Sequence, residues 1–95
     1  MIMELFEIYE DIAHVSDGIL ENEIEYSYDA LMGIMGASRP NETLDYILTK
    51  IDWDTDSPDI DLLSEAYDEL IEFNKYFKVK ELKAPIRNLK KFLHK

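Results

Sequence analysis

Ninety-five residues suffice for one domain with one core, and 46% hydrophobic with 12% aromatic residues argue against intrinsic disorder. The absence of cysteine excludes disulfides, thiolate metal sites and cysteine nucleophiles. The net charge of −11 is unevenly spread. Residues 1–74 hold 20 of the 21 acids and only two bases, Arg39 and Lys50, for −18, whereas residues 75–95 hold eight bases and Glu81 alone, for +7. Such an acidic body repels nucleic acid and anionic lipid and attracts cationic proteins over about a Debye length.

Apolar spacing reads as helix nearly throughout, so the expected fold class is all-α, a compact bundle of four to five helices forming one domain over 1–95. In the first segment Leu5, Ile8, Tyr9, Ile12 and Val15 step by three and four, with Glu4, Glu7, Glu10 and Asp11 opposite. Ser16-Asp17-Gly18 reads as a stop, with Gly18 as the left-handed residue after the helix, although Ile19 and Leu20 could also continue the same stripe. A second helix is expected from Asp17 or Ile19 to Met35, carried by Leu20, Ile24, Tyr28, Leu31 and Met35. Gly36 to Pro40 ends it, because proline disfavours helix at the preceding residue. The third begins near Pro40 or Asn41, with Leu44, Ile47, Leu48 and Ile51 on its apolar face.

Asp52-Trp53-Asp54-Thr55-Asp56 then reads as a polar turn. Ser57-Pro58 reads as N-cap and first helical residue of a fourth helix, with Asp59 and Asp61 favoured by the dipole in its first turn. That helix runs to about Phe77 with Leu63, Ala66, Tyr67, Leu70, Ile71, Asn74 and Phe77 on one side and Phe73 near the edge. Lys78 to Lys83 fits a helical continuation or an extended link. Ala84-Pro85 starts a last helix with Ile86, Leu89, Phe92 and Leu93 inward and lysines at its C-terminal end.

Little here suits catalysis. Asp52, Asp54 and Asp56 have the spacing that opens a calcium loop, but the sixth position is Ser57 instead of glycine and the twelfth is Leu63 instead of glutamate. His14 and His94 are the only histidines, too few for a zinc site or a triad, and the three glycines form no phosphate loop. No cofactor, metal or small-molecule substrate is expected, and the chain reads as a binding protein, not an enzyme. The constellation left is acid with aromatic. Asp52, Trp53, Asp54, Asp56, Asp59 and Asp61 form the first candidate contact surface, and Glu21, Glu25 and Asp29, with Glu23 and Tyr26 nearby, form the second. Tryptophan is a frequent hot spot, and charge around it adds specificity and on-rate. Trp53 has a rival reading as the last core residue of the third helix. The N-terminus lacks a signal-peptide pattern and no apolar run could span a membrane, so a cytoplasmic location is expected.

In size, charge and helical layout, with the acid run from Asp52 to Asp61 and no cysteine, the chain resembles the small acidic immunity proteins of bacterial nuclease toxins, those of colicins and of contact-dependent growth inhibition. The basic segment departs from that pattern. The resemblance implies a cytoplasmic inhibitor that binds a cationic toxin nuclease domain, an RNase or tRNase of a contact-dependent inhibition system, as a 1:1 heterodimer and covers its active site or substrate groove. It implies no direct contact with nucleic acid or membrane. Two alternatives fit the same charge pattern: a phage-encoded nucleic-acid mimic such as an anti-CRISPR protein, and a helical regulatory module that self-associates.

Overall fold

The computed structural model describes residues 5–27 and 39–94. Over these it is all-α: α1 Leu5–Leu20, α2 Pro40–Thr49, α3 Ile60–Phe77 and α4 Lys83–Phe92, with one 3-10 turn, Lys80–Leu82, ahead of α4. Packing runs around a ring, α1 on α2, α2 on α3, α3 on α4 and α4 back on α1. None of these helices is long and apolar enough to cross a membrane.

α1 buries Leu5, Ile8, Ile12, Val15 and Ile19, a three–four stripe facing the other helices. It does not stop at Ser16-Asp17-Gly18. Ser16 and Gly18 are buried inside it, and the helix continues to Leu20. The left-handed residue is Asn22, at φ 61°. The Asn22 amide donates to the Ile19 carbonyl at 3.2 Å and the Glu23 amide to the Gly18 carbonyl at 2.7 Å, the paired bonds of a Schellman ending. Gly18 is needed for a different reason. Ile24 folds back over it, and a Cβ at Gly18 would lie 2.4 Å from Ile24 Cδ1. Residues 21–27 therefore form a turn and loop instead of the start of the expected second helix. The rest of that expected helix lies outside the described residues.

α2 opens on Pro40 at its first position, as the sequence suggests, and buries Leu44, Ile47 and Leu48. The chain then returns on itself, and Trp53, only 4% exposed, joins the core. In α3 the N-cap is Asp59, whose carboxylate accepts from the amides of Asp61 at 3.0 Å and Leu62 at 3.2 Å. Ser57-Pro58 precedes the helix without starting it, because a carboxylate in the charge-favoured N-cap position satisfies two orphan amides that a distant serine does not. The buried stripe of α3 is Leu63, Ala66, Leu70, Phe73 and Phe77. It is rotated from the expected face: Phe73 lies at its centre, and Ile71 is 43% exposed.

α3 ends with Lys78 left-handed at φ 52°, while the Asn74 side chain accepts from the Val79 amide at 2.7 Å. Here the loop from α1 is stitched down, since the Ser27 amide donates to the Phe77 carbonyl at 2.6 Å and Tyr26 meets Phe77 edge-on at 6.1 Å. Val79 and Leu82 are fully buried, so the ambiguous 78–83 stretch is a short bridge plugging the core. α4 then starts at Lys83, burying Pro85, Ile86 and Leu89.

Candidate functional site: an acidic aromatic groove

Two helical rows face each other across α1 and α2. On α1, Phe6, Tyr9, Ala13 and Asp17 recur at three- and four-residue steps, which places them on one side of the helix. On α2 and just beyond it, Asp45, Leu48, Thr49 and Asp52 do the same. Together with Ile51, Trp53 and Asp54 they line an open groove of about 800 Å³. Its polar rim holds four carboxylates, Asp17, Asp45, Asp52 and Asp54, and among the described residues no basic side chain lines it.

The floor is aromatic. Phe6 stacks on Tyr9 at 5.5 Å between ring centroids, and Tyr9 lies 6.1 Å from Trp53. Phe6 is 42% exposed, a large apolar ring left facing water at the mouth. Trp53 is held from below, its indole N–H donating to the Leu48 carbonyl at 2.8 Å. That carbonyl is in the last turn of α2, where no intrahelical amide is available, so the indole serves as the helix's C-terminal partner. Trp53 therefore supports the groove instead of standing out as an anchor, and of its two readings the core one holds, with the contact one corrected by its burial.

Three further contacts fix the rim. The Ser16 hydroxyl, buried between α1 and α2, lies 2.6 Å from Asp45 Oδ1 and 3.1 Å from the Asn41 carbonyl. This sets Asp45 in place and ties the two walls together. Across the turn, Asp52 Oδ1 accepts from the Asp54 amide at 3.1 Å, which presents both acids from one short bend. Lys50, one of the two bases in residues 1–74, is directed elsewhere. It pairs with Glu69 of α3 at 2.7 Å, the one ion pair among the described residues, and lies 4.8 Å above the Tyr46 ring. The Glu69 carboxylate raises the Lys50 pKa above its ordinary value, so the ammonium stays charged.

The acid run from 52 to 61 is thus divided. Asp52 and Asp54 join the groove with Trp53 beneath them. Asp56 is exposed in the following loop, and Asp59 and Asp61 sit at the start of α3, none of the three lining the groove. Of the second candidate patch, Glu21 is exposed just past α1. Glu25 lines a separate depression of about 420 Å³ with Glu23, Tyr26, Lys78, Lys80 and Glu81, where charge is mixed. Asp29 lies outside the described residues. Asp17, Asp45, Phe6 and Tyr9 are the groove residues that sequence reasoning missed. Their signal was the pair of rows, 6-9-13-17 and 45-49-52, at helical spacing along the edge of each core stripe and carrying Phe6, Tyr9, Asp17, Asp45 and Asp52.

The arrangement suits a cation that carries apolar surface. A guanidinium or ammonium stem can lie along Phe6 and Tyr9 while its charged head meets the carboxylates. Comparison with known proteins finds no match among family models, curated proteins or solved structures.

Proposed function

We propose that this chain is a protein-binding inhibitor whose acidic aromatic groove receives basic side chains of a cationic partner, and that the partner is the nuclease domain of a bacterial toxin, as expected of an immunity protein. The observation that carries the reading is the groove itself: four carboxylates around an aromatic floor with no basic side chain among the described residues of the lining. Such a surface accelerates encounter with a positive partner and gives specificity at contact. A nuclease must keep a positive channel for its nucleic acid, which makes that channel complementary to this rim. Complex formation in the cytoplasm of the producing cell would then block cleavage without any chemistry on the inhibitor's side.

The test takes as partner a cationic bacterial toxin nuclease domain, sought first in the genes that flank this one. One equivalent of the protein is expected to abolish its RNA or DNA cleavage. The Asp52→Asn/Asp54→Asn variant, with fold unchanged by circular dichroism, is expected to associate at least tenfold more slowly at low salt, by the steering range open to charged partners. Undiminished cleavage with the wild-type protein in excess would overturn the proposal, and unchanged association of the variant would remove the groove from it.

A further inference from the structure

Between α3 and α4 a second groove carries the opposite charge. Lys75 of α3 and Lys83, Arg87 and Lys90 of α4 surround the exposed Ile71, with the buried Ile86 beneath, in a depression of about 420 Å³. Lys83, Arg87 and Lys90 recur at i, i+4 and i+7, one row of α4, and Lys75 faces them one turn beyond Ile71. No acidic side chain among the described residues lines this depression. In a ring of helices packed in chain order, the α1–α2 and α3–α4 grooves belong to different seams that share no helix. The single ion pair among the described residues, Lys50–Glu69, belongs to neither.

We infer that the basic α3–α4 groove docks the acidic α1–α2 groove of a second copy of this chain. The two surfaces match in kind: four bases around Ile71 against four acids around Phe6 and Tyr9. Because they belong to different seams, the contact is heterologous, head to tail, and each docked copy leaves one groove of each sign open for the next. The assembly uses the same acidic groove as the proposed toxin contact, so a cationic partner competes with it. The self-association is nonetheless independent of whether that partner is a toxin.

Net charge sets a distinctive salt dependence. Two copies at −11 each repel at long range. At about 0.15 M salt the Debye length is about 8 Å, under half of the molecule's shortest extent of 20 Å, so this overall repulsion is damped while groups in contact still attract. At about 1 M, with a Debye length of about 3 Å, the contacts weaken too. Association therefore passes through a maximum at intermediate salt. Binding of a nucleic acid to the same bases would instead fall steadily as salt rises.

Sedimentation velocity over a concentration series of the full chain tests this. The wild-type protein is expected to sediment faster as concentration rises, most clearly near 0.15 M salt. A Lys83→Glu/Arg87→Glu/Lys90→Glu variant and an Asp17→Lys/Asp54→Lys variant, each checked for helical content, are each expected to stay monomeric, and mixing the two is expected to restore association through the intact and swapped grooves. A wild-type protein that remains monomeric at every salt overturns the inference, as does self-association undiminished in either variant. So does a monomer that instead shifts a short single-stranded RNA through the same three bases.

Discussion

The two helices that wall the groove end in different ways. α1 closes with its own backbone: Asn22 turns left-handed, Glu23 and Asn22 donate to the Gly18 and Ile19 carbonyls, and Ile24 folds onto Gly18. α2 closes with a side chain brought back from four residues past its end, the Trp53 indole on the Leu48 carbonyl. A backbone ending spreads its cost over several weak bonds. An ending that depends on one buried ring concentrates packing, hydrogen bonding and groove support in one residue. Damage to the two ends should therefore differ in size.

The largest effect is expected at α2. Trp53→Ala removes a buried ring and an N–H, and should lower unfolding free energy by about 3–5 kcal/mol in urea denaturation. Trp53→Phe keeps much of the ring but orphans the Leu48 carbonyl, so it should lose about 1–3 kcal/mol. If the phenylalanine variant is as stable as wild type, the indole bond is not what closes α2. At α1 the expectation depends on background. Gly18→Ala puts a methyl into Ile24 and should cost about 1–3 kcal/mol. In an Ile24→Ala protein most of that cost should disappear, because only the Cβ of residue 24, 3.3 Å from the added methyl, is left to give way while the helix propensity gain remains. Additive effects across that cycle would mean the contact is not what requires glycine.

A third helix end separates structural from surface acids. Asp59→Ala deprives α3 of its cap and should cost about 1 kcal/mol while leaving association with a cationic partner unaltered. Asp54→Asn should do the reverse, with stability changed by no more than about 0.5 kcal/mol. The smallest effect concerns Lys50, the residue that follows α2, tethered to Glu69. Glu69→Gln should cost less than about 1 kcal/mol, since both groups remain partly exposed. The folded pKa of Lys50 is raised above its ordinary 10.5. The pair's contribution is therefore fully present below 10.5 and declines as pH rises through the higher folded value. Stability measured from pH 9 upward should show that decline in wild type and not in the glutamine variant.

The core stripes of α1, α2 and α4 were legible because burial on one side of a helix leaves a three–four period in sequence. α3 was misjudged by one residue on the helical wheel: Ile71 and Phe73 are both apolar, and only the position of the neighbouring helices decides which turns inward. Helix ends were harder still. Ser16-Asp17-Gly18 and Ser57-Pro58 carry the right residue types, yet burial against α2 kept the first stretch helical and Asp59 displaced the second. The groove was half visible. Asp52 and Asp54 stood out as a local run, but Asp17 and Asp45 join them only through the packing of α1 on α2, a contact between residues far apart in the chain.

Trp53 is the chain's single tryptophan, and it lies under the groove against Tyr9 and away from water. The protein thus carries its own optical reporter at the place of interest. Its emission should be that of a shielded indole in the folded state and shift to the red on unfolding. Titration of any ligand that displaces Tyr9 or dries the rim above it should be readable as a change in that single fluorophore, with no dye attached.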